Sequence, residues 1–147
     1  MAEISLSVDV DLSPEDAWAA VTDWDRQGEW MVLTRVHGTH LDGRAPGGQL
    51  EAFTGVGRLG FLDPMVVTTW QPPHRCVVRH TGRVVRGSAA FEIEALPDGR
   101  SRFVWSEWLV LPLGVLGEIG FRLLRPLFVA PLRRSLANFA HWAPSRG

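Results

Sequence analysis

Two residues of the sequence, His80 and Glu107, carry side chains that can move protons or hold a polar group of a ligand. The strand around residue 78 alternates, with Cys76, Val78 and His80 on one face and arginines on the other, so His80 should point into the protein. Glu107 shares a face with Trp105 in the last strand, and the same argument turns Glu107 inward. Because a carboxylate among apolar side chains is costly unless it is paired, Glu107 should be protonated or have a partner.

The separation of these two residues leaves two interpretations open. A third strand lies between theirs, which places the two backbones roughly 10 Å apart. The first interpretation is an acid/base pair for catalysis, or a polar anchor for a ligand oxygen. The second is structural: His80 is hydrogen-bonded in the core, and Glu107 faces solvent at a bulge. The catalytic residues, if there are any, therefore stay unknown, with His80 and Glu107 as the candidates.

The elements that must position these residues follow from the hydrophobic pattern. Residues Glu3 to Asp11 alternate between apolar and polar side chains, as a half-buried strand does. Ser13 and Asp23 each predict the start of a short helix, since a short polar side chain can cap a helix N-terminus. From residue 113 to about residue 142, apolar side chains recur at helical spacing and predict one long helix.

Between these helices, residues 32–111 are predicted to form six consecutive strands joined by short turns, as in an antiparallel meander. Turn-forming residues mark the predicted breaks at residues 42–48, 63–64, 72–73, 86–87 and 97–99. The fold class is therefore α+β. The long helix is the only element large enough to cover the apolar face of the sheet, and a curved sheet around one helix often leaves a space between them.

The order of elements and several local strings resemble the START-like (SRPBCC, Bet v 1-like, helix-grip) superfamily, and within it the polyketide cyclase/dehydrase and lipid-transport branch. The strings are Ser13-Pro14-Glu15-Asp16-Ala17-Trp18, Asp23 with Trp30, Trp70-Gln71-Pro72-Pro73-His74-Arg75, Phe103-Val104-Trp105, and the helix segment from Arg125-Pro126-Leu127 to Ser135-Leu136. The resemblance implies one domain over residues 1–147, with a curved antiparallel sheet of about seven strands wrapped around the C-terminal helix and two short helices after strand 1. It also implies an internal cavity for an apolar ligand, without a catalytic residue set that could be transferred.

Strand and helix periodicity predict which side chains line such a cavity. Besides His80 and Glu107, the predicted lining residues are mainly apolar: Trp30, Thr69, Val78, Phe91, Ile93, Trp105, Leu116, Leu123 and Leu127. Tryptophan suits flat aromatic or isoprenoid ligands, because an indole combines a large apolar face with one hydrogen-bond donor.

We therefore expect the protein to bind a small hydrophobic ligand, such as a lipid, a polyketide or an isoprenoid-like molecule. The alternative is an enzyme of the polyketide cyclase/dehydratase type that uses the same cavity, with His80 and Glu107 moving protons. The chain contains no tyrosine, which removes one residue type that such cyclases often use. A third function is an interaction module, because five arginines and no acids follow Glu118. That helix face leaves an anionic membrane or a protein open as a partner, although a membrane is not the expected one.

Composition and charge exclude several other classes. A net charge of -1 argues against a nucleic-acid partner, which would require a basic excess. The string from Gly55 to Gly60 matches the dinucleotide-binding pattern but is followed by a strand, and His37 and His40 fall on opposite faces of a strand, so neither a cofactor nor a metal is expected. The lone Cys76 and the absence of a signal-peptide pattern indicate a cytoplasmic protein. The sequence makes no prediction of the oligomeric state.

Overall fold

The computed structural model describes residues 2–146, which form seven strands and two α-helices. The strands are β1 (Ala2–Val10), β2 (Thr34–His40), β3 (Gln49–Val56), β4 (Leu59–Gln71), β5 (Arg75–His80), β6 (Gly87–Ala95) and β7 (Ser101–Leu109). The helices are α1 (Pro14–Val21) and α2 (Gly114–Trp142), and short 3-10 segments occupy Trp24–Glu29, Leu41–Gly43 and Ala143–Ser145.

All seven strands belong to one antiparallel sheet, in the order β1-β7-β6-β5-β4-β3-β2. Strands β2 to β7 form a meander, in which each strand pairs with the next one along the chain. The first strand returns to the last, with Ala2 opposite Leu109 and Val10 opposite Ser101. The α+β helix-grip architecture that the sequence predicts is confirmed, including the six strands between the short helices and α2.

The two short helices begin for different reasons. The Ser13 Oγ accepts a hydrogen bond from the backbone N–H of Asp16 at 3.2 Å, which confirms the predicted cap of α1. The second helix is the 3-10 segment that starts at Trp24. Asp23 occupies its N-cap position as predicted, but the Asp23 side chain makes no capping hydrogen bond. The Asp23 carboxylate instead accepts a hydrogen bond from the Arg146 guanidinium at 2.8 Å, which ties this segment to the C-terminal end of the chain.

Strand β4 contains the predicted turn at Asp63-Pro64, and here the prediction is wrong. β4 runs without a break from Leu59 to Gln71. The Pro64 carbonyl accepts a hydrogen bond from the Thr81 N–H at 2.9 Å, just beyond the last residue of β5. Proline has no N–H to donate, and it is tolerated here because this pairing uses only its carbonyl. Asp63 is therefore a residue of β4, and its side chain belongs to the site described below.

Five aromatic rings hold α2 against the sheet. The ring centroids of neighbouring members lie 5.0 to 6.4 Å apart, mostly in edge-to-face contacts. This aromatic cluster consists of Trp30, Phe91, Phe103, Trp105 and Phe139. It joins the segment after the 3-10 helix, strands β6 and β7, and α2 into one core.

The two halves of α2 have different surroundings. The buried residues of the helix, namely Val129, Ser135, Leu136 and Phe139, all lie in its second half. The first half, residues 114–128, contributes no buried residue. No helix formed by residues 2–146 is both long enough and apolar enough to cross a membrane.

This division predicts unequal effects of two similar substitutions in α2. Phe139→Ala should lower the free energy of unfolding by about 3–5 kcal/mol, because it empties a fully buried site in the aromatic cluster. Phe128→Ala, on the exposed half, should lower it by about 1 kcal/mol or less. Urea unfolding followed by tryptophan fluorescence measures both, and equal losses would contradict the described packing of α2.

Candidate functional site

A cavity of about 220 Å³ lies between the inner face of the sheet and the second half of α2. Its sheet wall is mainly apolar and includes Val78 and Phe91, and its helix wall includes Leu132 and Ser135. A concave, mainly apolar space with a few polar groups is the usual form of a site for a small organic molecule. The cavity is therefore the candidate functional site.

Three ionisable side chains form a charged cluster at the cavity wall: His80, Asp63 and Glu107. The His80 Nδ1 lies 2.9 Å from Asp63 Oδ1, and its Nε2 lies 3.1 Å from Glu107 Oε2. The other carboxylate oxygen of Glu107 accepts a hydrogen bond from the Trp105 indole N–H at 3.0 Å. The side chain of His80 is 3% exposed, and those of Asp63 and Glu107 are 13% and 14% exposed. The cluster is thus nearly enclosed, with its carboxylates closer to open space than its imidazole.

Small residues on β6 allow His80 and Glu107 to meet across a strand. In the register of the sheet, His80 lies opposite Gly87, and Glu107 lies opposite Ala89. Gly87 and Ala89 are two residues apart on β6 and therefore share a face. Because neither has a long side chain, the imidazole from β5 and the carboxylate from β7 can lean over β6 and form a hydrogen bond.

The surroundings of His80 favour its protonated form. Burial alone would lower the pKa of the imidazole, and it is the largest single effect. The hydrogen bonds to Asp63 and Glu107, with the attraction of the two carboxylates, together outweigh burial and raise the pKa of His80 to about 9. At neutral pH, His80 is therefore an imidazolium that donates both of its N–H groups.

This protonation state limits the chemistry of the cluster. A doubly donating imidazolium has no free nitrogen that could accept a proton, so His80 is not a general base at neutral pH. Asp63 and Glu107 line the cavity, and the remaining acceptor capacity of the cluster belongs to the lone pairs of their carboxylate oxygens. Within residues 2–146, no group of three or more His, Cys, Asp or Glu side chains is arranged to hold a metal ion.

The structure brings five of the residues singled out in the sequence to the cavity wall: Val78, His80, Phe91, Trp105 and Glu107. The direct contact between His80 and Glu107 differs from the separate, solvent-facing Glu107 of the second interpretation, whereas the buried and hydrogen-bonded His80 is what that interpretation expects. Trp30 and Ile93 are also buried, but they lie in the core outside the cavity lining. The Trp30 indole N–H has no hydrogen-bond partner among the described residues.

Thr69 lies outside the cavity lining because of an irregularity in β4. The pairing of β4 with β5 shifts by one residue between Val67 and Thr69, as at a β-bulge. The inward position passes from Val67 to Trp70, which lies opposite Cys76 and packs edge-to-face on Trp18. Simple alternation along β4 does not detect this shift.

Three further predicted lining residues, Leu116, Leu123 and Leu127, are on the exposed half of α2. They are 72%, 76% and 71% exposed, and none of them reaches the cavity. Helical periodicity is the same along the whole of α2, so it cannot distinguish the half that covers the sheet from the half that does not. The helix side of the cavity is formed by Pro131, Leu132 and Ser135 instead.

Asp63 is the member of the charged cluster that the sequence analysis misses. Asp-Pro is a common turn signal, so the sequence analysis predicts a turn where β4 continues. A signal was present nevertheless: Asp63, Met65 and Val67 alternate with the outward positions and share one face of β4. Both Asp63 and Met65 line the cavity.

The lone thiol also lies at the cavity wall. Burial raises the pKa of Cys76 to about 12. The thiol is therefore protonated at neutral pH and lacks the thiolate form that acts as a nucleophile.

Comparison with known proteins agrees with this architecture. Residues 1–142 match the sequence model of a family described as polyketide cyclase / dehydrase and lipid transport. An uncharacterised protein of Mycobacterium tuberculosis, Rv1546, is 33% identical over 155 residues, covering 95% of this chain and 97% of its own. The crystal structure of Zhui aromatase/cyclase from a Streptomyces species superposes with a TM-score of 0.78 at 12% identity, over 99% of this chain and 94% of that one. The di-domain aromatase/cyclase BexL superposes with a TM-score of 0.71 at 16% identity, over 99% of this chain and 51% of its own.

The raised pKa of His80 predicts a pH-dependent contribution to stability. Because the folded-state pKa lies above the ordinary value of 6.5, the contribution is complete below pH 6.5 and disappears as the pH rises through 9. The difference in unfolding free energy between the native chain and His80→Gln should therefore become smaller by on the order of 3 kcal/mol between pH 6 and pH 10. Urea unfolding at several pH values measures this difference, and a difference that does not change with pH would contradict the doubly bonded imidazolium.

Proposed function

Since the chain belongs to the polyketide cyclase/dehydrase and lipid-transport family, we propose that it binds a small hydrophobic molecule in the cavity between the sheet and α2. The observation that carries the proposal is an apolar cavity whose wall contains one charged cluster. A cavity of about 150 Å³ with an apolar lining is large enough to bind benzene. At about 220 Å³, this cavity suits a molecule of one or two rings, or the folded end of a longer chain.

The charged cluster would select the polar group of the ligand. The two N–H groups of His80 are already donated to Asp63 and Glu107, so a ligand carbonyl would have to displace one of these bonds. A ligand hydroxyl or amine can donate to a carboxylate oxygen without breaking either bond. The arrangement therefore favours an apolar ligand that carries a hydrogen-bond donor, such as a phenol or an alcohol.

Catalysis is the second candidate function, and the charged cluster is the observation that favours it. The imidazolium of His80 could protonate a carbonyl oxygen while the Glu107 carboxylate accepts a proton from an adjacent carbon. The structural neighbours Zhui and BexL are described as aromatase/cyclases, and they share the fold at 12% and 16% identity. This alternative requires turnover of a poly-β-ketone chain, whereas the binding function predicts stoichiometric occupancy without turnover.

The location of the ligand can be tested with 2-naphthol as the probe and a variant that fills the cavity. Ala89 is buried in the cavity wall beside the contact of His80 and Glu107. Ala89→Leu therefore adds three carbon atoms to the space that the probe would occupy and also crowds the charged cluster that would bind its hydroxyl. We expect this change to weaken 2-naphthol binding about tenfold or more, because overpacking costs about 1–3 kcal/mol. Ala19→Leu, on the exposed face of α1, is the matched control and should bind as the native chain does.

Quenching of tryptophan fluorescence reports binding of the probe, and thermal unfolding verifies that both variants are folded. Equal affinities of the two variants would place the probe outside the cavity and refute the proposed site. Native mass spectrometry of freshly purified protein, followed by organic extraction, then identifies the class of the natural ligand.

The polar anchor has its own test, which compares two ligands of the same shape. Glu107→Gln keeps the size of the side chain but replaces a charged acceptor with a neutral one. We expect it to weaken binding of 2-naphthol about tenfold and to leave binding of naphthalene nearly unchanged, since only the former has a donor. Equal losses for both ligands would contradict the anchor. Cyclisation of a poly-β-ketone by the native chain, reduced in Glu107→Gln, would favour the catalytic alternative.

A further inference from the structure

The exposed large apolar side chains are concentrated at one end of the molecule. Strand register places Val56 and Leu59 at the turn between β3 and β4, and the Gly55 N–H donates to the Leu33 carbonyl beside them. The loop between β5 and β6 and the end of β7 meet at the same end, where the Val110 N–H donates to the Arg86 carbonyl. The exposed residues of this end of the sheet are Leu33, Val56, Leu59, Leu62, Val84 and Val110.

The first half of α2 extends this apolar surface. The Arg125 guanidinium donates to the Glu3 carbonyl, which places residue 125 at the end of β1. The helix begins eleven residues earlier, so about 16 Å of it precedes this contact. Leu116, Ile119 and Leu123 are exposed on this part of the helix. We use the name apolar end for two groups of exposed apolar side chains taken together: the six at this end of the sheet, and Leu116, Ile119 and Leu123 of α2.

The apolar end is also basic. Residues 53–62, 81–86 and 108–113, which carry all of the sheet portion except Leu33, contain three arginines and no acidic residue. The helix portion adds Arg122 and one acidic residue, Glu118. Arg58, Arg83 and Arg86 are exposed, and within residues 2–146 none of them forms an ion pair. Among the other twelve arginines, five pair with carboxylates within the described residues: Arg26, Arg75, Arg100, Arg102 and Arg146.

We propose that the apolar end docks on the surface of a lipid bilayer that contains anionic lipids. Apolar side chains that enter the boundary of the acyl chains, together with arginines that attract anionic headgroups, are the two components of such docking. Charge complementarity favours a bilayer over a second copy of the chain, because a twofold interface would bring the same arginines together. The proposal goes beyond ligand binding and does not depend on it.

The cavity lies close to the apolar end. Thr54, Asp63 and Glu107 line the cavity. Thr54 and Glu107 lie two residues before the last residues of β3 and β7, and Asp63 lies four residues after the first residue of β4, at the end of the sheet that belongs to the apolar end. The charged cluster therefore lies between the apolar lining of the cavity and the proposed membrane surface. A ligand that entered the cavity from the bilayer would therefore pass the carboxylates of Asp63 and Glu107.

Vesicle flotation with the full chain tests the docking. We expect binding to vesicles of phosphatidylcholine with one quarter phosphatidylglycerol, weaker binding to phosphatidylcholine alone, and a decrease with added salt. The double variant Leu59→Glu, Leu116→Glu should lower the partition coefficient at least about tenfold, because it replaces two inserted apolar side chains with anions. Leu41→Glu is the matched control, since Leu41 is equally an exposed leucine but lies at the opposite end of β2.

Several outcomes would overturn the proposal. Absence of vesicle binding, or binding that ignores anionic lipid and salt, would refute it. Equal losses in Leu41→Glu and in the double variant would show a nonspecific charge effect. A dimer in analytical ultracentrifugation that the double variant dissociates, without vesicle binding by the native chain, would assign the apolar end to an interface between copies. Ala89→Leu, by contrast, should bind vesicles at the native level, because docking does not depend on occupancy of the cavity.

Discussion

The aromatic cluster packs the second half of α2 against the sheet. Both the cavity and the apolar end depend on that contact. Phe139 inserts between Trp30 and Phe103, where its ring lies 5.0 Å from each of theirs. This contact fixes the distance between helix and sheet at one end of the molecule. Nearer the other end, the sheet curves away from the helix, and the space between them stays open as the cavity. Beyond the cavity, the helix leaves the sheet, and its apolar side chains are exposed.

The charged cluster is the costliest feature of this interior. Three ionisable groups removed from water lose hydration, and their mutual attraction offsets this loss only where the hydrogen-bonding geometry is good. His80 meets that condition because each of its two N–H groups has its own carboxylate acceptor. Trp105 satisfies the second oxygen of Glu107, so a member of the aromatic cluster also supports the charged one. Replacement of such a cluster by apolar residues of similar volume often leaves stability unchanged or higher. Stability therefore does not explain the cluster, whereas the proposed contact with a ligand does.

The two proposals describe different parts of one structure. Ligand binding uses the interior, where an apolar wall ends at the carboxylates of Asp63 and Glu107. Membrane docking uses the exterior of the same end, where unpaired arginines stand among exposed apolar side chains. Thr54 and Glu107 of the cavity lining lie two residues from the strand ends at that exterior, so the two sites are close together.

Local sequence chemistry determined the fold class, the order of the elements and the inward orientation of His80 and Glu107. Hydrophobic periodicity has the same period wherever a strand or a helix forms, so single segments reveal it without knowledge of the rest of the chain. The family resemblance added the cavity, because a sequence pattern alone does not show how closely a helix approaches a sheet.

Only the tertiary structure decided the composition of the site. Asp63 joined the charged cluster because β4 continues through an Asp-Pro pair, which is tolerated where no donor to β5 is needed. Thr69 left the cavity lining because the pairing of β4 with β5 shifts by one residue. Leu116, Leu123 and Leu127 left it because α2 is longer than the surface it covers. Each of these outcomes depends on a neighbour that is distant in sequence, and no local pattern reports which neighbour an outward or inward side chain will meet.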